Sequence, residues 1–301
     1  MKRDFLRLTD LSSDEIGMLM DRAADMKAGR DASNCPLIGK SIGLIFEKSS
    51  TRTRVSFEVG IYQLGAQPIY LNPKEIQLGR GETISDTAKV LSRYLDGIVI
   101  RTYGHERLIE FANNASIPVI NGLSDLYHPC QTLADLLTIR EKKGRIEGIR
   151  AAYIGDVNNV TNSLIEASAI LGFELVIACP EGYEPSYEIL DSVRDKGKGN
   201  IIIVGDPAEA AGKADVIYTD VWVSMGQESE AETKKDRLRG YQVNSSLLGC
   251  AKKDTIVLHC LPAHRGEEIT DDVIDGPNSA VFDQAENRLH TQKALLEFLV
   301  R

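Results

Sequence analysis

Residues Ser50-Thr51-Arg52-Thr53-Arg54 place three hydroxyls and two guanidiniums in five consecutive positions. They follow an apolar run, Ile42 to Phe46, and precede a segment in which Val55, Val59, Tyr62 and Leu64 recur at helical spacing. The first N–H groups of a helix lack internal partners, and the helix dipole adds partial positive charge there. A phosphate placed at this point would meet aligned N–H, O–H and guanidinium donors. An N-capped surface helix with solvated arginines accounts for the same five residues. The local sequence leaves both open. A Walker loop is excluded, because GxxxxGK[ST] is absent.

Four further places carry chemistry-bearing residues. Arg101 ends the apolar run Gly97–Arg101. It could donate to a ligand oxygen or serve as a surface ion-pair partner. His128-Pro129-Cys130-Gln131 opens a helix, with His128 and Gln131 on one face, so both could donate to one carbonyl or carbamoyl group. A capping histidine and a surface glutamine are the plain alternative. Asp220, with Ser224-Met225-Gly226 after it, ends a strand and could pair with an ammonium, or be an ordinary acidic loop residue. His259-Cys260-Leu261-Pro262 follows a buried-looking strand. A free cysteine is usually a small core hydrophobe, but the end of a strand suits chemistry better. All five places fall at strand or loop ends, where open α/β sheets bind their ligands.

The elements that must position these residues alternate. Ser12 and Glu15 form a capping box for a first helix, whose core positions are Ile16, Leu19, Met20 and Ala23. Strands are expected at 42–46, 97–101, 118–121, 151–155, 174–178, 201–204, 216–219 and 255–259. Helices are expected near 83–94, 106–115, 129–140, 162–171, 186–196 and 284–300. The stretch Ser224–Arg239 is polar, with no clear core face. The alternation predicts an α/β fold of two similar doubly wound parallel-sheet domains with a cleft between them. The charged, glycine-containing segment Glu141–Gly148 places the junction there. The expected domains are 1–145 and 146–301, with the last helix, about 284–301, packing back on the first.

Composition narrows the function classes. The chain has 301 residues, enough for about two domains, and 43% of it is hydrophobic. Its net charge of -9 gives no global basic field for nucleic acid, so an anionic substrate would need a local basic site. The five cysteines match neither zinc-pair nor redox spacing and fit reduced intracellular thiols. No signal, transit or membrane-spanning run is evident. The expectation is a cytoplasmic protein with no cofactor, no metal, no membrane and no nucleic-acid partner.

With these residues in view, the chain resembles the transcarbamylase family, and specifically its ornithine branch. Ser50-Thr51-Arg52-Thr53-Arg54 looks like the family's carbamoyl-phosphate loop. His128-Pro129-Cys130-Gln131 looks like its HPxQ, Asp220 with Ser224-Met225-Gly226 like the ornithine branch's closing loop, and His259-Cys260-Leu261-Pro262 like its HCLP. The motifs occur in family order along essentially the whole chain. The aspartate branch carries HPLP where this chain has Cys260, and the putrescine branch lacks the Ser-Met-Gly loop. The resemblance implies transfer of the carbamoyl group of carbamoyl phosphate to the δ-amine of L-ornithine. The products would be L-citrulline and phosphate, as in arginine biosynthesis. It assigns Ser50, Thr51, Arg52 and Thr53 to the phosphate, and Arg101, His128 and Gln131 to the carbamoyl group. Gln77 and Arg288 would also reach carbamoyl phosphate. Asn159, Asp220, Ser224 and Met225 would bind ornithine, and Cys260 and Leu261 would touch both substrates. Arg52, Arg101, His128, Asp220 and Cys260 would be the catalytic set. It further implies a homotrimer or a higher multiple, with sites at subunit interfaces.

Within that resemblance, Asp220 would orient the amine together with Cys260 and would not act as a strong base, since a carboxylate favours the charged amine. Thr53, Arg101 and His128 would stabilise charge growing on the carbamoyl oxygen. The Ser224–Arg239 stretch would close over ornithine. Three rival readings remain. A carbamoyltransferase for another amine such as putrescine would use the same chemistry. A nicotinamide-dependent oxidoreductase draws on Gly155-Asp156 after a strand, but GxGxxG is missing there. A non-catalytic protein of the same fold would not need the intact motifs.

Overall fold

The computed structural model describes residues 2–30, 35–76, 81–223 and 231–301. The chain divides into two compact units: Met1–Ala134 with Glu286–Arg301, and Asp135–Ala285. In chain order the elements are α1 (Ser13–Lys27), β1 (Ser41–Phe46), α2 (Thr51–Gln63), β2 (Gln67–Leu71), α3 (Ile84–Leu91), β3 (Gly97–Arg101), α4 (His105–Asn114), β4 (Val119–Leu123) and α5 (Pro129–Lys143). They continue as β5 (Arg150–Ile154), α6 (Asn159–Leu171), β6 (Glu174–Ala178), α7 (Tyr187–Asp191), β7 (Asn200–Val204), α8 (Pro207–Ala211), β8 (Val216–Thr219), α9 (Ala231–Leu238), α10 (Ser245–Leu248), β9 (Ile256–His259), α11 (Asp271–Ile274) and α12 (Val281–Val300). The unit boundaries therefore fall inside α5 and α12.

Each unit is built on a parallel sheet, as the strand–helix alternation predicts. The first sheet has the order β2-β1-β3-β4 and the second β7-β6-β5-β8-β9. Parallel strands covered on both faces read as continuous apolar runs. β3 and β4 are buried throughout, and β1 from Ile42 onward. In the first unit Ile45, Ile98, Ile100, Leu108, Phe111 and Val119 share one core. In the second, Ala152, Ile154, Val176, Ile217, Val257 and Val281 do so.

The strand order matters for function. From β1 the chain goes outward to β2, then returns to add β3 and β4 on the other side. From β5 it goes outward to β6 and β7, then returns for β8 and β9. At such a reversal the two connections leave in opposite directions, opening a crevice at the strands' carboxyl ends. One crevice lies beyond β1 and β3, the other beyond β5 and β8. They are headed by Ser50 and Arg101 in the first unit, and by Gly155 and Asp220 in the second.

Several expectations are corrected. Of the four helically spaced apolar residues near α2, only Leu64 is buried; Val55, Val59 and Tyr62 are 48%, 38% and 76% exposed. The face that packs carries Thr53, Phe57, Gly60 and Ile61. β2 was not anticipated. It is a half-exposed edge strand that contains Pro68, which an edge tolerates because no ladder N–H is needed on its open side. The expected helix at 186–196 is two pieces, α7 and a 3-10 turn at Arg194–Lys196. α6 begins at Asn159, ahead of the expected Asn162. Within the polar stretch, 231–238 is a helix with Lys234 and Leu238 buried, while 224–230 lies outside the described residues.

Candidate active site

In the first unit, the turn after β1 delivers Ser50 as the N-cap of α2. Its Oγ accepts from the Thr53 N–H at 3.2 Å. Thr51, Arg52 and Thr53 fill the first helical turn. Thr51 is exposed, Arg52 half-buried and Thr53 fully buried. Arg54 belongs to the plain structural role. Its Nε donates to Glu58 at 2.9 Å, and its guanidinium lies 3.6 Å from the Tyr70 ring centroid. The cap and the hydroxyl cluster thus coexist, and the helix N-terminus remains able to receive an anion.

Arg101, His128, Gln131 and Arg288 converge on the same region although they come from β3, the start of α5, and α12. Arg288 Nη2 donates to Thr53 Oγ1 at 2.5 Å, and its Nη1 donates to Gln131 Oε1 at 3.0 Å. All four side chains are buried, Arg101 to 8% exposure and Gln131 to none. Burial first, then the Arg288 and Arg101 charges, hold the His128 imidazole well below the usual histidine range. His128 is therefore a neutral hydrogen-bonding group at neutral pH. The Cys130 thiol beside it is pushed up to about 12 by burial and is a packing residue.

Glu47 and Lys48, unnoticed in the sequence, brace the turn before Ser50. The Glu47 N–H donates to the Arg101 carbonyl at 2.8 Å. The Glu47 carboxylate accepts from Thr102 Oγ1 and, at 2.9 Å, from Arg107 Nη2. Lys48 pairs with Asp125 and lies over the Tyr103 ring. Only the three-dimensional adjacency of β1, β3 and β4 reveals these links.

In the second unit, Asp220 follows β8 and is buried. Its Oδ1 accepts from Cys260 Sγ at 2.9 Å and from the Val221 N–H at 2.8 Å. Its Oδ2 accepts from Asn158 Nδ2 at 2.8 Å. Asn158 is also the N-cap of α6, accepting through Oδ1 from the Val160 and Thr161 N–H groups. Asn159 is the first residue of that helix. The turn that aims Asn158 requires Gly155, whose φ is +129.

The Cys260 loop is held by residues outside the expected set. The Leu261 N–H donates to His259 Nδ1 at 2.9 Å, so the imidazole proton sits on Nε2 and points to Glu268 Oε1 at 3.1 Å. Leu261 takes a left-handed φ of 58, unusual for a branched residue. The His259 N–H donates to Gln284 Oε1 at 2.9 Å, and Gln284 Nε2 donates to Asp135 Oδ1 at 2.7 Å. Ligating atoms of Asp220, His259 and Cys260 lie within 4.8 Å of one another. The sequence showed no such cluster, because 40 residues separate Asp220 from Cys260. Both nitrogens of His259 are already engaged, which leaves this set poorly suited to a metal. Gln77, Ser224 and Met225 lie outside the described residues.

Comparisons with known proteins bear on both units. Residues 3–141 match the aspartate/ornithine carbamoyltransferase carbamoyl-P binding domain, and residues 147–299 match the aspartate/ornithine carbamoyltransferase Asp/Orn binding domain. The chain is 56% identical over 303 residues to an ornithine carbamoyltransferase from Methanosarcina mazei, covering 100% of each. It resembles the solved ornithine carbamoyltransferase from Pyrococcus furiosus with a TM-score of 0.95 and 51% identity, over 99% of this chain and 97% of that one. It also resembles the anabolic ornithine carbamoyltransferase from Campylobacter jejuni, with a TM-score of 0.94 and 42% identity over 99% of both chains.

Proposed function

Because this chain belongs to the aspartate/ornithine carbamoyltransferase family, we propose that it carries the carbamoyl group of carbamoyl phosphate to the δ-amine of L-ornithine, giving L-citrulline and phosphate. It is an enzyme, a carbamoyl-group transferase. The observation that carries the choice of acceptor is the Asp220–Cys260 contact of 2.9 Å, a carboxylate and a soft donor placed together where an amine can bind.

The first unit takes carbamoyl phosphate. Ser50, Thr51, Arg52 and Thr53 hold the phosphate at the start of α2. Arg101, His128 and Gln131 hold the carbamoyl group, with Arg288 and Gln77 completing the contacts. The second unit takes ornithine through Asn159, Asp220, Ser224 and Met225, and Cys260 and Leu261 touch both substrates.

The δ-ammonium has a free pKa near ~10.4 and must lose a proton before its nitrogen can attack. Asp220 and Cys260 orient that nitrogen. The new C–N bond forms at the carbamoyl carbon, and the carbonyl oxygen gathers charge beside Thr53, Arg101 and neutral His128. One such preorganised donor is typically worth ~3 kcal/mol of barrier. The C–O bond to phosphate then breaks, the nitrogen sheds its second proton, and Arg52 with the helix N-terminus stabilises the departing phosphate.

A role in arginine biosynthesis draws support from the anabolic Campylobacter jejuni relative. Self-association as a homotrimer or higher multiple draws support from the exposed stripe Val55, Val59 and Tyr62 on α2. A cytoplasmic place accords with the absence, among the described residues, of any helix long and apolar enough to cross a membrane. An acceptor panel of ornithine, putrescine and aspartate, each with carbamoyl phosphate, tests the substrate. Preference for either of the other two would overturn the ornithine assignment.

A further inference from the structure

Lys234 is a buried cation in the Ser224–Arg239 stretch, and it is none of the residues assigned to either substrate. It lies on α9, and its Nζ donates to Asp156 Oδ2 at 2.8 Å, with both side chains under a tenth exposed. Asp156 directly follows Gly155 at the carboxyl end of β5. Its backbone carbonyl accepts from Tyr153 Oη at 2.8 Å. Two residues on, Asn158 donates to Asp220. A second carboxylate therefore stands beside the one assigned to the amine.

Each group around this pair has a definite charge state or partner. The Asp156 carboxyl is held above the usual carboxylate range: burial pushes it up, Lys234 offsets this only in part, and the Asp220 charge adds to the rise. Tyr153 on β5 and Tyr218 on β8 are held well above the usual phenol range by burial, and so are neutral. The Cys179 thiol after β6 is pushed up to about 12, by burial first and then by Glu184 and Asp156. The Tyr183 ring centroid lies 5.7 Å from Lys234 Nζ. Lys235, the next residue on α9, is paired with Glu267 at 2.7 Å. On the far side, Cys260 is bonded to Asp220, and His259 to Glu268. In the alkaline range where the amine loses its proton and Asp156 carries its charge, Lys234 leaves the pair of carboxylates and itself one net negative unit. There, without Lys234, it is two.

We propose that Lys234 is a positioning and charge-setting residue of the acceptor side: it occupies Asp156, leaving Asp220 as the carboxylate presented to the acceptor amine, and so governs how readily that amine gives up its proton. This rests on the assignment of Asp220 and Cys260 to the amine. An unneutralised carboxylate near an ammonium favours the charged form. Only the neutral amine attacks.

Lys234→Gln should move the acid limb of kcat/KM for ornithine upward by roughly half a pH unit or more. It should leave the carbamoyl phosphate KM unchanged. Lys234→Arg should keep the wild-type limb. The double variant Asp156→Asn/Lys234→Gln, which removes both charges, should return the limb to its wild-type position even if the single variant folds poorly. A second arm uses no substrate. In a Cys35→Ser/Cys250→Ser background, which removes the exposed thiols, the pH dependence of Cys260 alkylation should shift upward in Lys234→Gln. If the limb and the alkylation profile both match wild type in a folded Lys234→Gln protein, or the double variant keeps a shifted limb, the proposal is overturned. A wild type that forms no citrulline would instead overturn the transfer reading, and the thiol arm would still report the charge that Lys234 sets.

Discussion

The Arg288 guanidinium bonds Thr53 Oγ1 at 2.5 Å and Gln131 Oε1 at 3.0 Å, joining α12 to the first turn of α2 and of α5. The contact fixes the Thr53 hydroxyl at the helix N-terminus. Charge-assisted bonds of this kind contribute ~1.5–3 kcal/mol each. Arg288→Met should therefore lower kcat/KM for carbamoyl phosphate by about 10- to 100-fold. Binding of carbamoyl phosphate measured by calorimetry should weaken in parallel. An unchanged affinity would show that Arg288 serves only the packing of α12.

His128 supplies a pH prediction. In the unfolded chain a histidine takes up a proton near pH ~6.5. Burial first, then Arg288 and Arg101, hold the folded His128 well below that. Between the two values the unfolded state binds more protons, so stability rises with pH. The contribution is complete above pH ~6.5 and is lost as pH falls toward the folded value. His105 and His290 are lowered too, mainly by burial, and act the same way in wild type and variant. His128→Gln should thus lose less stability than wild type between about pH 7 and about pH 5. Urea midpoints that fall in parallel would contradict this.

Ser50 and Ser12 are both N-caps, accepting from Thr53 and Glu15 N–H groups at 3.2 Å each. Replacing either by alanine should cost ~1 kcal/mol of stability. Only Ser50→Ala should also raise the carbamoyl phosphate KM. Equal kinetics in the two variants would reduce Ser50 to a cap.

Cys260 makes its bond to Asp220, and Asp220 keeps its Asn158 and Val221 donors without it. Cys260→Ala should leave the fold intact, weaken ornithine use and lower kcat, with carbamoyl phosphate binding retained. Wild-type steady-state kinetics in this variant would remove Cys260 from the acceptor site.

Most of the fold was legible because parallel strands buried on both faces stand out as apolar runs, as at Gly97–Arg101, Glu174–Ala178 and Val216–Thr219. What the sequence hid has specific causes. β2 carries Pro68 and sits half-exposed at an edge. α2 has two apolar stripes, and periodicity does not say which one packs. α9 buries Lys234 through an ion pair, so no apolar face marks it. Asn158 lies in a polar run that conceals the start of α6. The candidate site was legible as five strand-end places, each ambiguous alone. The contacts that give it geometry span 235 residues for Arg288–Thr53 and 40 for Cys260–Asp220, beyond the reach of local spacing.

The most direct measurement follows the bond itself. Carbamoyl phosphate labelled at its carbon and ornithine labelled at its δ-nitrogen are mixed with the enzyme and followed by NMR. The proposed transfer predicts one-bond carbon–nitrogen coupling in citrulline, growing in step with released phosphate. Phosphate release without any coupled product would contradict it.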